Sequence, residues 1–198
     1  MDAEELLKRY ADGERNFEGV DLSETNLESE ELFGINLARA DLTYANLSRA
    51  NLRESCLQGA ELNETNLSNA CLEKANLHYA DLIEVNLSGA NLRKSFLSRL
   101  QGDYTNMNGA NLSDTDITEA DFYLSTLIGA NLSNTKLNQT RFLECDFTGA
   151  KLRDASLNET SFKDSDLTYT DLIGAKSELS LIEDIIDLTE KFTGATFC

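Results

Sequence analysis

"ARADLTYANLSRANL", residues 38–52, repeats one short phrase three times. Leu42, Leu47 and Leu52 fall on every fifth position, and Ala40, Ala45 and Ala50 precede them by two. Asp41, Asn46 and Asn51 stand between the small residue and the leucine. A period of five suits neither regular element. On a helix, each step of five rotates about 140° past a full turn, so the leucines scatter around the axis. On a flat strand they alternate between faces. A chain that turns a corner every five residues puts all of them toward one axis. Four corners close a coil of 20 residues, and the next coil stacks at the strand spacing, about 4.8 Å.

The same beat runs from position 17 to position 172. Of these 32 centres, 31 are Leu, Phe, Ile or Met; the exception is Gly102. The unit is A-(N/D)-L-x-x. Thirty-two units in fours predict eight coils and a rod about 38 Å long. Centres 20 apart form four ladders, which begin at Phe17, Leu22, Leu27 and Leu32. The ladder from Leu32 to Leu172 is leucine at every level. The ladder from Leu22 passes through Leu82, Gly102 and then Phe122, Phe142 and Phe162. An emptied leucine site costs about 2–5 kcal/mol unless it is refilled. Leu100 occupies the preceding inward position, where a small residue is usual, so a volume exchange is predicted. Leu100 points inward, the coil stays closed, and Phe122 leans into the gap.

Residues 17–176 resemble the pentapeptide-repeat family, on phrases such as "GANLSNTKL" and "GAKLRDASL". The resemblance implies an all-β solenoid, a right-handed quadrilateral β-helix of about eight four-sided coils. The "ERNFEGVDLSETNL" opening is similar to cyanobacterial members. Other members protect DNA gyrase from quinolone drugs, by imitating duplex DNA, and dimerise near the C-terminus.

Three segments follow: 1–16 as an N-terminal helical cap, 17–176 as the β-helix, and 177–198 as a C-terminal helix and tail. Stacked coils leave unpaired edges that must be covered. "MDAEELLKRYADG" reads as a short amphipathic helix with Asp2 at its N-cap, Glu5 three residues on and Gly13 at its end. "SLIEDIIDLTEKFTG" has Ser180 and Glu183 in capping-box spacing. Its apolar face is a candidate surface for a homodimer.

Lys plus Arg number 17 and Asp plus Glu 35, for a net charge of −18. Phosphates repel such a chain, which argues against direct binding to nucleic acid or an anionic membrane. No apolar run approaches the roughly 20 residues of a membrane span. The acidic N-terminus is unlike a signal peptide, so the expected compartment is the cytoplasm.

No catalytic, cofactor or metal motif appears. His78 is the one histidine and lies at an outward position. Cys56, Cys71, Cys145 and Cys198 fit no metal spacing. Cys145 falls on an inward small position and reads as inert core. A tube plugged by its own side chains offers no concave interior site. The asparagines at 26, 46, 66, 86 and 106 share one column and read as a structural ladder.

Function is therefore expected on the outer walls, from a non-enzymatic protein whose partner is another protein. The Leu22 side carries Asp21, Glu24, Asp41, Glu61, Glu64, Asp81, Glu84, Asp103, Asp121, Glu144 and Asp164. Only Arg141 and Lys163 oppose them, which leaves −9 on one side. A DNA strand about 38 Å long carries about 11 charges, so mimicry of DNA toward gyrase is the alternative reading. The Leu32 side carries a basic group, Arg53, Lys74, Arg93 and Lys94, which interrupts that mimicry. The Leu22 side also carries Ile83, Tyr104, Tyr123, Leu124 and Leu143, with Ile128 round the next corner. An apolar cluster ringed by acids is the composition of a protein-contact patch.

Overall fold

The computed structural model describes residues 1–177. The C-terminal helix and a dimer contact through it fall on later residues, outside the described ones.

From Asn16 to Lys176 the chain winds into coils of 20 residues joined by parallel bridges. Asp21 pairs with Asp41, Asp41 with Glu61, and Glu61 with Asp81. Each coil turns four times. At a typical corner the centre's carbonyl accepts from the N–H three residues on, as Leu42 O does from Ala45 N at 2.9 Å. The residue two after the centre takes a left-handed φ, 60° at Tyr44 and 57° at Glu64. A positive φ at the third residue of a hydrogen-bonded turn is the type II pattern.

The repeat unit now has a physical reading. The Asn or Asp before the centre accepts from the N–H two residues on: Asn46 Oδ1 from Ser48 N at 3.1 Å, Asp41 Oδ1 from Thr43 N at 2.9 Å. This is the local bond that suits these residues to turns. Some of the same asparagines also bridge coils, with Asn46 donating to Asn26 at 3.0 Å. Most of the small inward Thr and Ser hydroxyls donate to a centre carbonyl, either of the preceding coil, as Thr65 to Leu42 at 2.7 Å and Thr140 to Ile117 at 2.7 Å, or of their own, as Thr25 to Leu22 at 2.6 Å. Those buried hydroxyls cost little because they are bonded.

The leucine ladders fill the tube. Leu52, Leu72 and Leu92 are fully buried in successive coils, with their neighbours Asn51, Cys71 and Asn91 bridged in register. Leu100 is 2% exposed, so it points inward. The coil stays closed at Gly102, whose N–H donates to Asp121 O at 2.8 Å. A Cβ at 102 would stand 2.4 Å from the Phe122 ring, so that ring occupies the vacated leucine space. Phe122, Phe142 and Phe162 then stack, with centroids 5.1 and 5.4 Å apart.

The corners beside this aromatic stack open. The Thr105 N–H donates to Ser125 Oγ at 3.0 Å, and that hydroxyl donates onward to Gly102 O. The Cys145 N–H likewise donates to Ser165 Oγ at 3.0 Å. The backbone straightens into β1, Asp121–Tyr123, and β2, Arg141–Leu143. These pair in parallel, with Tyr123 beside Leu143.

At the N-terminus, α1 spans Ala3–Ala11. Asp2 accepts from Glu5 N at 2.8 Å, and Gly13 follows with φ 98°. Leu6 is fully buried in the core, while Leu7 and Tyr10 pack partly against it. The Tyr10 hydroxyl donates to Phe33 O at 2.9 Å, tying the helix to the coil. Among the described residues no helix is long and apolar enough to cross a membrane.

Candidate interaction surface

Every coil presents three outward positions per side: the residue before the centre and the two turn residues after it. On the Leu22 side these make three parallel columns. The first holds Asp21, Asp41, Glu61, Asp81 and Asp121. Three of these carboxylates serve the turns, since Asp21, Asp41 and Asp81 each accept the N–H two residues on. The third column holds Glu24, Tyr44, Glu64, Glu84, Tyr104, Leu124, Glu144 and Asp164. All eight have left-handed φ, between 50° and 60°. Identical backbone conformations repeated at one coil spacing aim these side chains in one direction.

Charge pairing separates the sides. Among the described residues, Asp121 alone of the eleven carboxylates on the Leu22 side has an ion pair, with Arg141 at 2.5 Å. The Leu32 side holds six carboxylates and six cations. There Arg53 pairs with Glu73 at 3.3 Å, Lys74 with Glu54 at 2.9 Å and Arg93 with Asp114 at 3.2 Å, and Arg153 pairs with Asp171. The basic group read from the sequence is thus largely neutralised in place.

The apolar cluster is brought together in part. The Tyr104 and Tyr123 rings meet edge to face at 5.7 Å. Tyr123 is half-buried beside Leu143, whereas Tyr104 is 52% exposed and Leu124 37%. Ile83 stands half-buried at the equivalent position two coils before Tyr123. Ile128 is exposed on the neighbouring Leu27 side, its N–H bonded to Asn108. Asp103 and Glu144 flank the tyrosine pair. The charge of Glu144 first, then burial, Tyr104 and Asp103, raise the Tyr123 pKa.

Five exposed aromatics escaped the sequence reading: Phe33, Tyr44, Tyr79, Phe96 and Tyr169. Tyr44, 56% exposed, stands in the acidic column. Bonding to Glu64 raises its pKa, helped by the charges of Glu64, Glu84 and Glu24 and by burial. Its place two after a centre was the available signal. Tyr79 and Phe96 lie on the Phe17 side, both about half exposed. Phe96 walls an open cleft of about 450 Å³ with Cys56, Asn76 and His78 on its lining. His78 Nδ1 is 2.7 Å from Ser98 Oγ, but among the described residues no carboxylate holds the other ring nitrogen, as a catalytic triad would need. Cys145 is core, its thiol pushed up to about 11 by burial.

The comparisons with known proteins agree with this geometry. The family model for pentapeptide repeats (8 copies) matches residues 31–69, 60–99, 105–142 and 145–176. Between these segments it passes over 143–144 and 100–104, the latter containing Leu100 and Gly102. No curated protein sequence matches the chain. Among solved structures, a trypsin-treated variant of QnrB1, a plasmid-mediated fluoroquinolone resistance protein, gives a TM-score of 0.78 at 17% identity, covering 88% of each chain. At that identity the likeness is one of fold. HetL, a pentapeptide repeat protein involved in heterocyst differentiation regulation in the cyanobacterium Nostoc sp. strain PCC 7120, is 30% identical, with a TM-score of 0.46. That match covers 90% of this chain and 95% of HetL. The period of five, the 20-residue coils and the matched family model together place the chain in the pentapeptide-repeat family.

Proposed function

We propose that the chain is a non-catalytic, cytoplasmic interaction solenoid that binds another protein through its Leu22 side. In this reading residues 17–176 form a right-handed coil, 1–16 cap its first edge, and 177–198 cap the other and offer a homodimer contact. The observation that carries the proposal is the unequal pairing of charge. Ten carboxylates on one side have no ion pair among the described residues, while the opposite side neutralises itself. Unpaired like charges on a compact body repel one another, so a partner carrying cations relieves a tension built into the fold. The tyrosine pair supplies the apolar centre such interfaces use, with acids as its rim. The test is the triple variant Tyr104→Ser, Tyr123→Ser, Leu124→Ser, compared with the unaltered chain in capture from the native host. A partner that the unaltered chain retains and the variant loses, and that salt releases, supports the reading. A partner list identical for both proteins sinks it.

A second reading has its own observation. The net −9 of this side along a rod about 38 Å long is comparable to the about 11 charges of one DNA strand of that length. The same wall would then occupy the DNA groove of DNA gyrase or another DNA-binding protein. A tenfold excess of the protein is expected to alter gyrase supercoiling if this holds; unchanged supercoiling removes it.

A further inference from the structure

The outermost turn column of the Phe17 side shows what this backbone does with an arginine. Tyr79, Arg99 and Glu119 stand one coil apart, each two after a centre, with φ of 59°, 58° and 59°. Arg99 donates to the Tyr79 hydroxyl at 2.7 Å and takes Glu119 bidentately at 2.9 and 3.1 Å. Its guanidinium lies 5.8 Å from the Tyr79 ring centre. A phenol on one side and a carboxylate on the other, one coil each way, therefore hold a guanidinium between them.

The same column on the Leu22 side has the phenols and the carboxylates without the cation. Tyr44, Glu64, Glu84 and Tyr104 occupy successive coils at φ of 60°, 57°, 59° and 55°. Their spacing is set by the same bonds: Tyr44 N to Asn63 O at 3.0 Å, Glu64 N to Ile83 O and Glu84 N to Asp103 O, both at 2.9 Å. Both tyrosines are more than half exposed. Among the described residues neither Glu64 nor Glu84 has an ion pair. Bonding to Glu64 first, then the charge of Glu64, burial and the charges of Glu84 and Glu24, raise the Tyr44 pKa.

We infer that the Tyr44–Glu64–Glu84–Tyr104 column is a receptor for arginine side chains carried by a partner protein. It rests on the reading of the Leu22 side as the interaction face. The column spans about 14 Å at the coil spacing, room for two guanidinium groups, each with one tyrosine and one glutamate. Arginine rather than lysine fits, because the planar fork takes a carboxylate bidentately while stacking on a ring. Lysine would gain the charge attraction but little from the phenols.

The test compares hexa-arginine with hexa-lysine, equal in length and charge, by titration calorimetry on the full chain. Hexa-arginine is expected to bind about tenfold tighter. The double variant Tyr44→Asn, Tyr104→Asn keeps the charge unchanged and places in the left-handed turns a residue that tolerates them. It is expected to abolish the preference, with the thermal melting point held as the control on folding. Glu64→Gln with Glu84→Gln is expected to weaken both peptides. Equal affinity for the two peptides, no binding of either, or an arginine preference that survives loss of both tyrosines would overturn the inference. Tyr104 is common to both tests, but failure of the column is read in the arginine-over-lysine preference and failure of the interaction face in partner retention by the triple variant, so the two failures are distinguishable.

Discussion

The Leu22 and Leu32 sides are opposite walls of one tube, and the repeat has been filled differently in each. The Leu32 wall has one residue type inside and compensated charge outside. The Leu22 wall runs leucine, glycine, phenylalanine inside and carries unpaired acid and paired tyrosines outside. Its corners open where the phenylalanines stack, and two coils straighten into β1 and β2. The lesson is that inner and outer irregularity coincide. A wall built only for stability can repeat without change; under the proposed function, the wall that departs from the repeat on both surfaces is the one that meets the partner.

This contrast can be broken at its inner surface first. Leu92→Ala, in the unbroken ladder, is expected to cost about 2–5 kcal/mol by chemical denaturation, because its neighbours are locked and cannot collapse into the hole. Gly102→Ala adds only a methyl, yet it forces the Phe122 ring to move, and about 1–3 kcal/mol of destabilisation is expected. If Gly102→Ala is neutral, the ring is not filling that space as described.

Two smaller effects sharpen the comparison. Burial raises the Cys145 pKa to about 11 against an ordinary 9.0. The neutral thiol is favoured in the folded state, so its contribution is intact below pH 9 and is lost as pH climbs toward 11. Cys145→Ser is expected to remove that alkaline loss, on the order of 1 kcal/mol, and to supply the hydroxyl that Ser125 and Ser165 already place in this column. Alkaline denaturation curves of the two proteins check it. Smallest are the surface charges. Glu84→Gln is expected to raise the thermal midpoint slightly, and Glu54→Gln, which orphans Lys74, to lower it slightly. The opposite signs, and their convergence in high salt, are the measurement.

Most of the architecture was legible in the residues, because a strict period of five admits one economical solution. Leu100 and Gly102 could even be read as a volume exchange from their positions alone. The charge on the Leu22 side was equally legible. Its lack of pairing was not, since pairs such as Arg93 with Asp114 depend on side-chain reach between coils. Tyr44 stands among Glu24, Glu64 and Glu84, three coils before Tyr104, so no apolar cluster marks it in the sequence. The opened corners at Thr105 and Cys145 were hidden as well. A hydroxyl or thiol there looks in sequence like any other small inward residue, and only the coil above reveals which N–H has lost its carbonyl.

The bridges join residues 20 apart along the whole rod, so each winding is held mainly by the windings on either side of it. Pulled from its ends, such a chain should not rupture all at once. It should unspool, each loop giving up about 60 Å of length as it leaves the stack. The force trace would then be a series of evenly spaced teeth, interrupted where the stacked phenylalanine rings tie three neighbouring windings into a single unit.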